Sequence, residues 1–294
     1  MLDIDDTCAP AHGQQQLSLF HAHYGERCFL PIHIYEATTG KPVAVILRPG
    51  KTPDGAEVML VLRHIVAAIR RRWPRVDILV RGDSHYGRPE AMSWCERNRV
   101  AYILGLAGNK VLLARVAGLA DDAAVARLEG EAAKVRRYDD FVYAARTWGT
   151  ERRVIARVEA SDCGADTRFI VTNLTGTPRW LYEDVYCARG QAENLIKAHK
   201  LHLASDRTSC TKAAANQFRL VLHTAAYWLL HELRGLTPKS SFWRQAQFDT
   251  LRLAFIKVAA RVTELASRIK LALPSGYPYR DSLVLLAARA AKPP

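Results

Sequence analysis

The order of strand and helix signals over the first hundred residues constrains this chain more than any other feature. Residues 2–6 (LDIDD) read as a short strand ending in acids. Residues 28–36 (CFLPIHIYE) alternate, TTGK supplies a turn, and the β-branched run VAVIL follows at 43–47, a strand–turn–strand pattern. Residues 56–72 keep helical spacing through Met59, Leu60, Arg63, Val66, Ala67 and Arg70, and Trp73-Pro74 stops that helix. VDILV at 76–80 has the profile of a strand buried on both faces. A helix from Pro89 to about Asn98 and the strand VAYILGL complete the series.

Three antiparallel strands followed by two helix-bearing crossovers predict a mixed five-stranded sheet with helices on its faces. That α/β order is the order of a ribonuclease-H-like fold. Residues 111–131 are Ala-rich and predict a helix, and 134–173 read as short strands with no long helix between them. Helical patterns resume at Pro178 and again across 211–234. The predicted organisation is therefore a core in two pieces, 1–110 and 178–294, interrupted by a β-rich insertion at 111–177. In the last sixty residues the Ala, Leu and Arg content of FDTLRLAFIKVAARVTELASRIKLALP fits a long helix, whereas RIKLAL alternates like a strand. The sequence leaves that conflict open.

Composition narrows the partner. Of 294 residues, 42 are Lys or Arg and 29 are Asp or Glu, a formal charge of +13 on a chain that is 49% hydrophobic. A folded, strongly basic protein favours a polyanion, nucleic acid before membrane. The six cysteines (Cys8, Cys28, Cys95, Cys163, Cys187 and Cys210) form no CxxC pair, which argues against a zinc ribbon or a disulfide-stapled module. The longest apolar stretch, LVLHTAAYWLL from Leu220, is interrupted by a His and too short to span a bilayer.

Carboxylates supply the candidate chemistry. In the first strand Asp3 and Asp5 share one face and Asp6 points to the other. Asp83 ends the strand VDILVRGD, which places it in the crevice at the carboxyl ends of the strands. If the first and fourth strands are neighbours, Asp5 and Asp83 approach each other, and two such carboxylates repel unless a divalent cation lies between them. A helix-capping Asp83 beside a solvated Asp5 is the plainer alternative.

The helix around Glu193 carries more. At about 100° per residue from Tyr186, Arg189 falls near −60°, Glu193 near −20°, Lys197 near +20° and Lys200 near −40°. Ala188, Ala192 and Leu195 lie opposite, suited to packing on a sheet. One helix thus presents a carboxylate among three cations and a phenol. Ordinary i,i+4 pairing on a solvated face would explain the charges but not the tyrosine. A third carboxylate joining the Asp pair, with cations placed for phosphate oxygens, explains all five residues. Two Mg²⁺ ions held by three carboxylates are a known means of phosphoryl transfer.

The segments DIDDT, HGQQQLSLFHAHYG, TGKPVAVILRPG, RGDSHYG and YCARGQAENLIKAHK resemble the DDE transposases of the IS4-like superfamily, most closely its IS1380 insertion-sequence family. The superfamily signature is Tyr, two residues, Arg, three residues, Glu, six residues, Lys; Tyr186, Arg189, Glu193 and Lys200 reproduce it. The resemblance covers essentially the whole chain. It implies a catalytic and metal-binding triad of Asp5, Asp83 and Glu193, two Mg²⁺ ions with Mn²⁺ as substitute, and transposon-end contacts by Tyr186, Arg189 and Lys200. Lys197 joins them on helical geometry alone. The family has a small residue where Asp6 stands, and Asp3 remains the alternative first acid because it shares the face of Asp5.

The implied partners are double-stranded DNA, as terminal inverted repeats and as target, and further copies of the chain assembled on it. The implied location is the bacterial cytoplasm, on the nucleoid, with no membrane. Family members carry a longer front region with DNA-binding helices. Met1 stands immediately before the first strand here, so the expectation is a truncated copy or a displaced start, with a nearly complete core and impaired end recognition. Two competing functions keep the fold: a nuclease without strand transfer, and a non-catalytic DNA-binding remnant.

Lesser candidates are the His21/His23 pair, the His199/His202 pair (read as a partly exposed helix surface), and His85 beside Asp83. The segment holding Arg63, Arg70, Arg71, Arg72, Arg75, Arg81 and Arg88 reads as target-DNA contacts or as a solvated face.

Overall fold

Pro31 divides what reads as one strand at 28–36, because proline has no N–H to give to a ladder. In a computed structural model, which describes residues 1–130 and 132–291, the early elements are β1 (Leu2–Asp6), β2 (Ala9–Pro10), β3 (Leu19–His21), β4 (Glu26–Phe29), β5 (Ile32–Glu36) and β6 (Lys41–Ile46). Then come α1 (Gly55–Arg72), β7 (Leu79–Gly82), α2 (Pro89–Arg97) and β8 (Ala101–Leu106). Asp54 caps α1 by accepting a hydrogen bond from the Glu57 N–H, and Pro89 opens α2, where a missing N–H costs nothing.

α3 (Lys110–Arg115) and α4 (Ala117–Glu129) precede β9 (Lys134–Tyr143), β10 (Arg152–Ser161) and β11 (Gly164–Thr172). One sheet of eight strands results, in the order β6-β5-β1-β7-β8-β11-β10-β9. β1 runs antiparallel to β5 and parallel to β7, and β7 runs parallel to β8. These are the five strands of a ribonuclease-H-like core. The insertion contributes three more strands, because β11 pairs antiparallel with β8 (Phe169↔Leu106) and extends the sheet from five strands to eight. A core edge that would otherwise expose unpaired N–H and C=O groups is covered in this way.

The strand period of two decides which residues face which layer. Ile4, Ile34 and Val80 point to the side covered by Val58 and Leu62 of α1 and Met92 of α2. Ile103, Ile155 and Ile170 point to the other side, against Leu181 and Tyr182. Those two residues belong to a helical segment whose pitch changes repeatedly. It comprises α5 (Pro178–Trp180), a π-helical turn at Leu181–Tyr186, a 3₁₀ turn at Cys187–Gly190, α6 (Gln191–Lys197) and a second π turn at Ala198–His202.

The chain divides into two compact units, Met1–Cys8 with Leu17–Asn194, and Ala9–Gln16 with Leu195–Pro294. In the second, α7 (Ala213–Leu236) is the principal helix. His199 is fully buried, with Nδ1 2.7 Å from Ser205 Oγ and Nε2 3.1 Å from Thr224 Oγ1, which corrects its reading as a partly exposed surface residue. The conflict over the last sixty residues resolves by division. Helix continues through α8 (Phe248–Leu251) and a π turn to Ile256, β12 (Arg261–Leu265) and β13 (Arg268–Ala272) form a hairpin, and α9 (Arg280–Ala290) follows. Among the described residues, no helix is long and apolar enough to cross a membrane.

Candidate active site

β1 and β7 lie side by side in parallel, with Asp3 opposite Arg81 and Ile4 opposite Gly82. The next residues on the face of Asp3 and Arg81 are Asp5 and Asp83, at the carboxyl ends of both strands. The first rung is closed: Arg81 Nε and Nη2 donate to the two oxygens of Asp3 at 2.6 and 2.8 Å, and both side chains are buried. The carboxylate of Asp3 is thereby committed to Arg81, leaving Asp5 as the acid of β1 that faces Asp83.

The second rung is open. Asp5 has its carboxyl pushed up to about 6, foremost by burial, with the negative charges of Asp83 and Asp6 adding to the effect. Arg189 opposes this, its Nη1 standing 3.4 Å from Asp5 Oδ2. Its guanidinium also lies over the Tyr186 ring, 5.5 Å from the centroid. Asp83 Oδ1 accepts the His85 N–H at 2.9 Å.

Asp6 faces away, as alternation requires. Its Oδ2 is 3.1 Å from His85 Nδ1 and accepts from the Tyr86 hydroxyl at 3.2 Å. An acid is accommodated at this position because both of those partners come from the loop that follows β7. The bond to Asp6 is the main reason that the His85 imidazole titrates above its ordinary range. His85, only a lesser candidate by sequence, therefore joins the acidic strand ends.

Glycines allow the close approach. A Cβ on Gly105 would lie 2.7 Å from the Ser84 nitrogen and 2.9 Å from the Tyr186 hydroxyl, and one on Gly82 would meet Ile4 and Tyr86. A cavity of about 310 Å³ opens beside Asp83, bordered by Gly105, Arg168, Tyr186 and Arg189. Sequence reasoning missed Gly105, although a glycine inside a strand is a sign of close backbone approach.

The predicted residues are thus only partly assembled. Asp5, Asp83, Arg189 and Tyr186 come together, whereas Glu193 is exposed in α6 and, among the described residues, no group of three His, Cys, Asp or Glu side chains stands ready to hold a metal ion. Lys197 is exposed, and both it and Lys200 fall in the second unit. The chemistry of the two aspartates still fits a divalent cation. They are hard oxygen donors, and Asp5 is raised first by burial and further by the charges of Asp83 and Asp6, with Arg189 opposing.

Residues 1–293 match the family described as transposase DDE domain group 1. The chain belongs to that family. Nothing among curated proteins matches it. A solved structure of piggyBac transposase, in a synaptic complex with hairpin DNA, is similar at 9% identity and a TM-score of 0.43. The likeness covers 97% of this chain and 57% of that one, so this DDE-domain chain spans little more than half the length of that transposase.

Proposed function

We propose that this chain is a DNA transposase that cleaves and joins strands at the ends of an insertion sequence, of the IS4-like kind and closest to the IS1380 family. The observation that carries the reading is the open rung, in which Asp5 and Asp83 meet at the ends of adjacent parallel strands with burial holding the Asp5 carboxyl near 6. Membership of the DDE-domain family supports it. In this reading residues 1–110 and 178–294 form the catalytic core and 111–177 its insertion.

Asp5 and Asp83, with Glu193, would hold two Mg²⁺ ions, or Mn²⁺ in their place. Bound there, the ions supply Lewis acidity at the scissile phosphate and a more acidic attacking hydroxyl. The protein's own groups bind and orient the DNA. Tyr186 and Arg189 border the cavity beside Asp83, where a guanidinium and a phenol suit phosphate oxygens. Lys197 and Lys200 would add phosphate contacts of their own. The partners are duplex DNA, as terminal repeats and as target, and other copies of the chain assembled on it at the bacterial nucleoid.

The test is a strand-cleavage and joining assay on paired terminal repeats of the element with Mg²⁺ or Mn²⁺. Cleavage followed by joining is expected, and Glu193→Gln should abolish both while DNA binding by gel shift persists. Cleavage without joining would make the chain a nuclease. Binding with no metal-dependent nicking would make it a DNA-binding remnant. Equal cleavage by the variant would remove Glu193 from the site.

A further inference from the structure

Arg81 makes three bonds, and each reaches a segment that carries a site residue. Nε and Nη2 donate to Asp3 at 2.6 and 2.8 Å, and Nη1 donates to the Val185 carbonyl at 2.8 Å. Asp3 lies two residues before Asp5 on β1, Arg81 two residues before Asp83 on β7, and Val185 immediately before Tyr186. At the strand rise, two residues put this cluster about 7 Å behind the open carboxylates, on the same face of the sheet.

The helical attachment falls where the segment most needs an external tie. The Cys187 N–H reaches back five residues to Tyr182, whereas the following turn is 3₁₀ and bonds over three. A helix that changes pitch has no single ladder to fix its direction. A bond from the sheet to the Val185 carbonyl supplies a fixed point one residue from Tyr186 and four from Arg189.

Stability alone gives little reason for this arrangement. A buried ion pair is often no more stabilising than well-packed apolar residues of similar volume. What a guanidinium provides is a planar fork whose donors hold several acceptors at set angles, which a lysine ammonium cannot reproduce. Its charge is matched by Asp3, so it fixes geometry without competing with a metal cation for the Asp5 carboxylate, as Arg189 does.

We propose that Arg81 is a positioning residue, bonded at once to Asp3 and the Val185 carbonyl, that sets the spacing of Asp5, Asp83 and the Tyr186–Arg189 turn. The inference rests on the reading that Asp5 and Asp83 hold a divalent cation, and the experiment separates the two. Mn²⁺ binding to the purified full chain without DNA would be followed by electron paramagnetic resonance, beside thermal melting, for wild type, Asp83→Asn and Arg81→Lys. Wild type should bind, Asp83→Asn should lose the site, and Arg81→Lys should melt cooperatively yet bind Mn²⁺ about 10- to 100-fold more weakly, as loss of support behind a metal ligand does. Equal binding by wild type and Asp83→Asn would overturn the metal reading and this inference with it. Loss of binding in Asp83→Asn with wild-type affinity in a folded Arg81→Lys would overturn the inference alone. If Arg81→Lys does not fold, Asp3→Asn, which keeps the side-chain volume and the Val185 bond, takes its place: weakened Mn²⁺ binding is expected, and unchanged affinity overturns the proposal.

Discussion

Two successive levels of the same pair of strands are resolved differently. Asp3 and Arg81 carry opposite charges, bond bidentately and are buried, whereas two residues further on Asp5 stands beside the like charge of Asp83, and burial foremost, with that charge adding, raises its carboxyl to about 6. They lie on the same face of the same sheet, but the first is closed and buried within the strands, whereas the second stands at the strand ends and is only part-buried. A rung whose charges cancel holds a fold together. A rung whose charges repel costs stability until something positive arrives, and such unresolved electrostatics are found where chemistry is done.

The largest effect should come from removing the repulsion. Asp83→Asn keeps the side-chain volume but takes away half of the open rung, and nicking of terminal-repeat DNA should fall by roughly a thousandfold or more, in the range set by loss of an electrostatic catalytic group. Its melting temperature should stay level or rise. A variant that nicks at wild-type rate would remove Asp83 from the chemistry. Breaking the closed rung should instead disturb folding. Arg81→Met strands Asp3 as a buried, unpaired charge, which costs about 3–5 kcal/mol, and adding Asp3→Leu should recover much of the loss because an apolar pair needs no compensation. Urea unfolding measures both; a double variant no better than the single one would show that the Val185 bond, not the ion pair, carries the stability.

The sequence made one rung far more legible than the other. Alternation placed Asp3 with Asp5 and the carboxyl end of VDILV placed Asp83, because strand period and strand polarity are local properties. Which of Asp3 and Asp5 stands opposite Asp83 and which is taken up by Arg81 is not a local property, since Arg81 lies 78 residues from Asp3 in the chain. By sequence Arg81 is one member of a basic segment. The same limit applies to Gly105, whose missing Cβ is needed by Ser84 and Tyr186, and to the insertion, whose strands were recognisable while their attachment to the β8 edge was not. Glu193 is the converse case. Its spacing from Tyr186, Arg189 and Lys200 is clear in sequence, but the helix that bears it changes pitch between Tyr186 and α6, so a uniform 100° wheel does not describe where it points.

The pH dependence of stability gives a smaller, signed test of the open rung. Asp5 has a folded pKa near 6 against an unfolded value near 4, so between those values the folded state binds more protons. The contribution of Asp5 to stability therefore falls as pH rises from about 4 to about 6 and levels off above, a change of about 3 kcal/mol. His199, pushed down to about 4 by burial, works in the opposite sense, since its contribution is lost as pH falls from its ordinary value of about 6.5 to about 4. The informative quantity is the difference between wild type and Asp5→Asn in metal-chelated buffer, which should be largest above pH 6 and vanish near pH 4. A difference independent of pH would mean that Asp5 is not strained by burial.

The smallest effect tests whether a cation is committed to the fold or available to a polyanion. Each phosphate contact contributes about 0.9 to the slope of log affinity against log salt, through the counterions it releases. Lys197 is exposed on the helix, so Lys197→Ala should lower that slope by about one and weaken binding to terminal-repeat DNA similarly for any duplex sequence. The charge of Arg81 is spent on Asp3 and buried, so a folded Arg81→Met/Asp3→Leu variant, which removes one positive and one negative charge, should leave the slope unchanged. Arg189 lies between these cases, because it is bonded to Asp5 in the free protein. Its replacement should reduce the slope only to the extent that DNA draws it from Asp5, so a full unit lost would mean that the carboxylate gives up its guanidinium when DNA binds, and no loss would assign Arg189 to the closed class with Arg81.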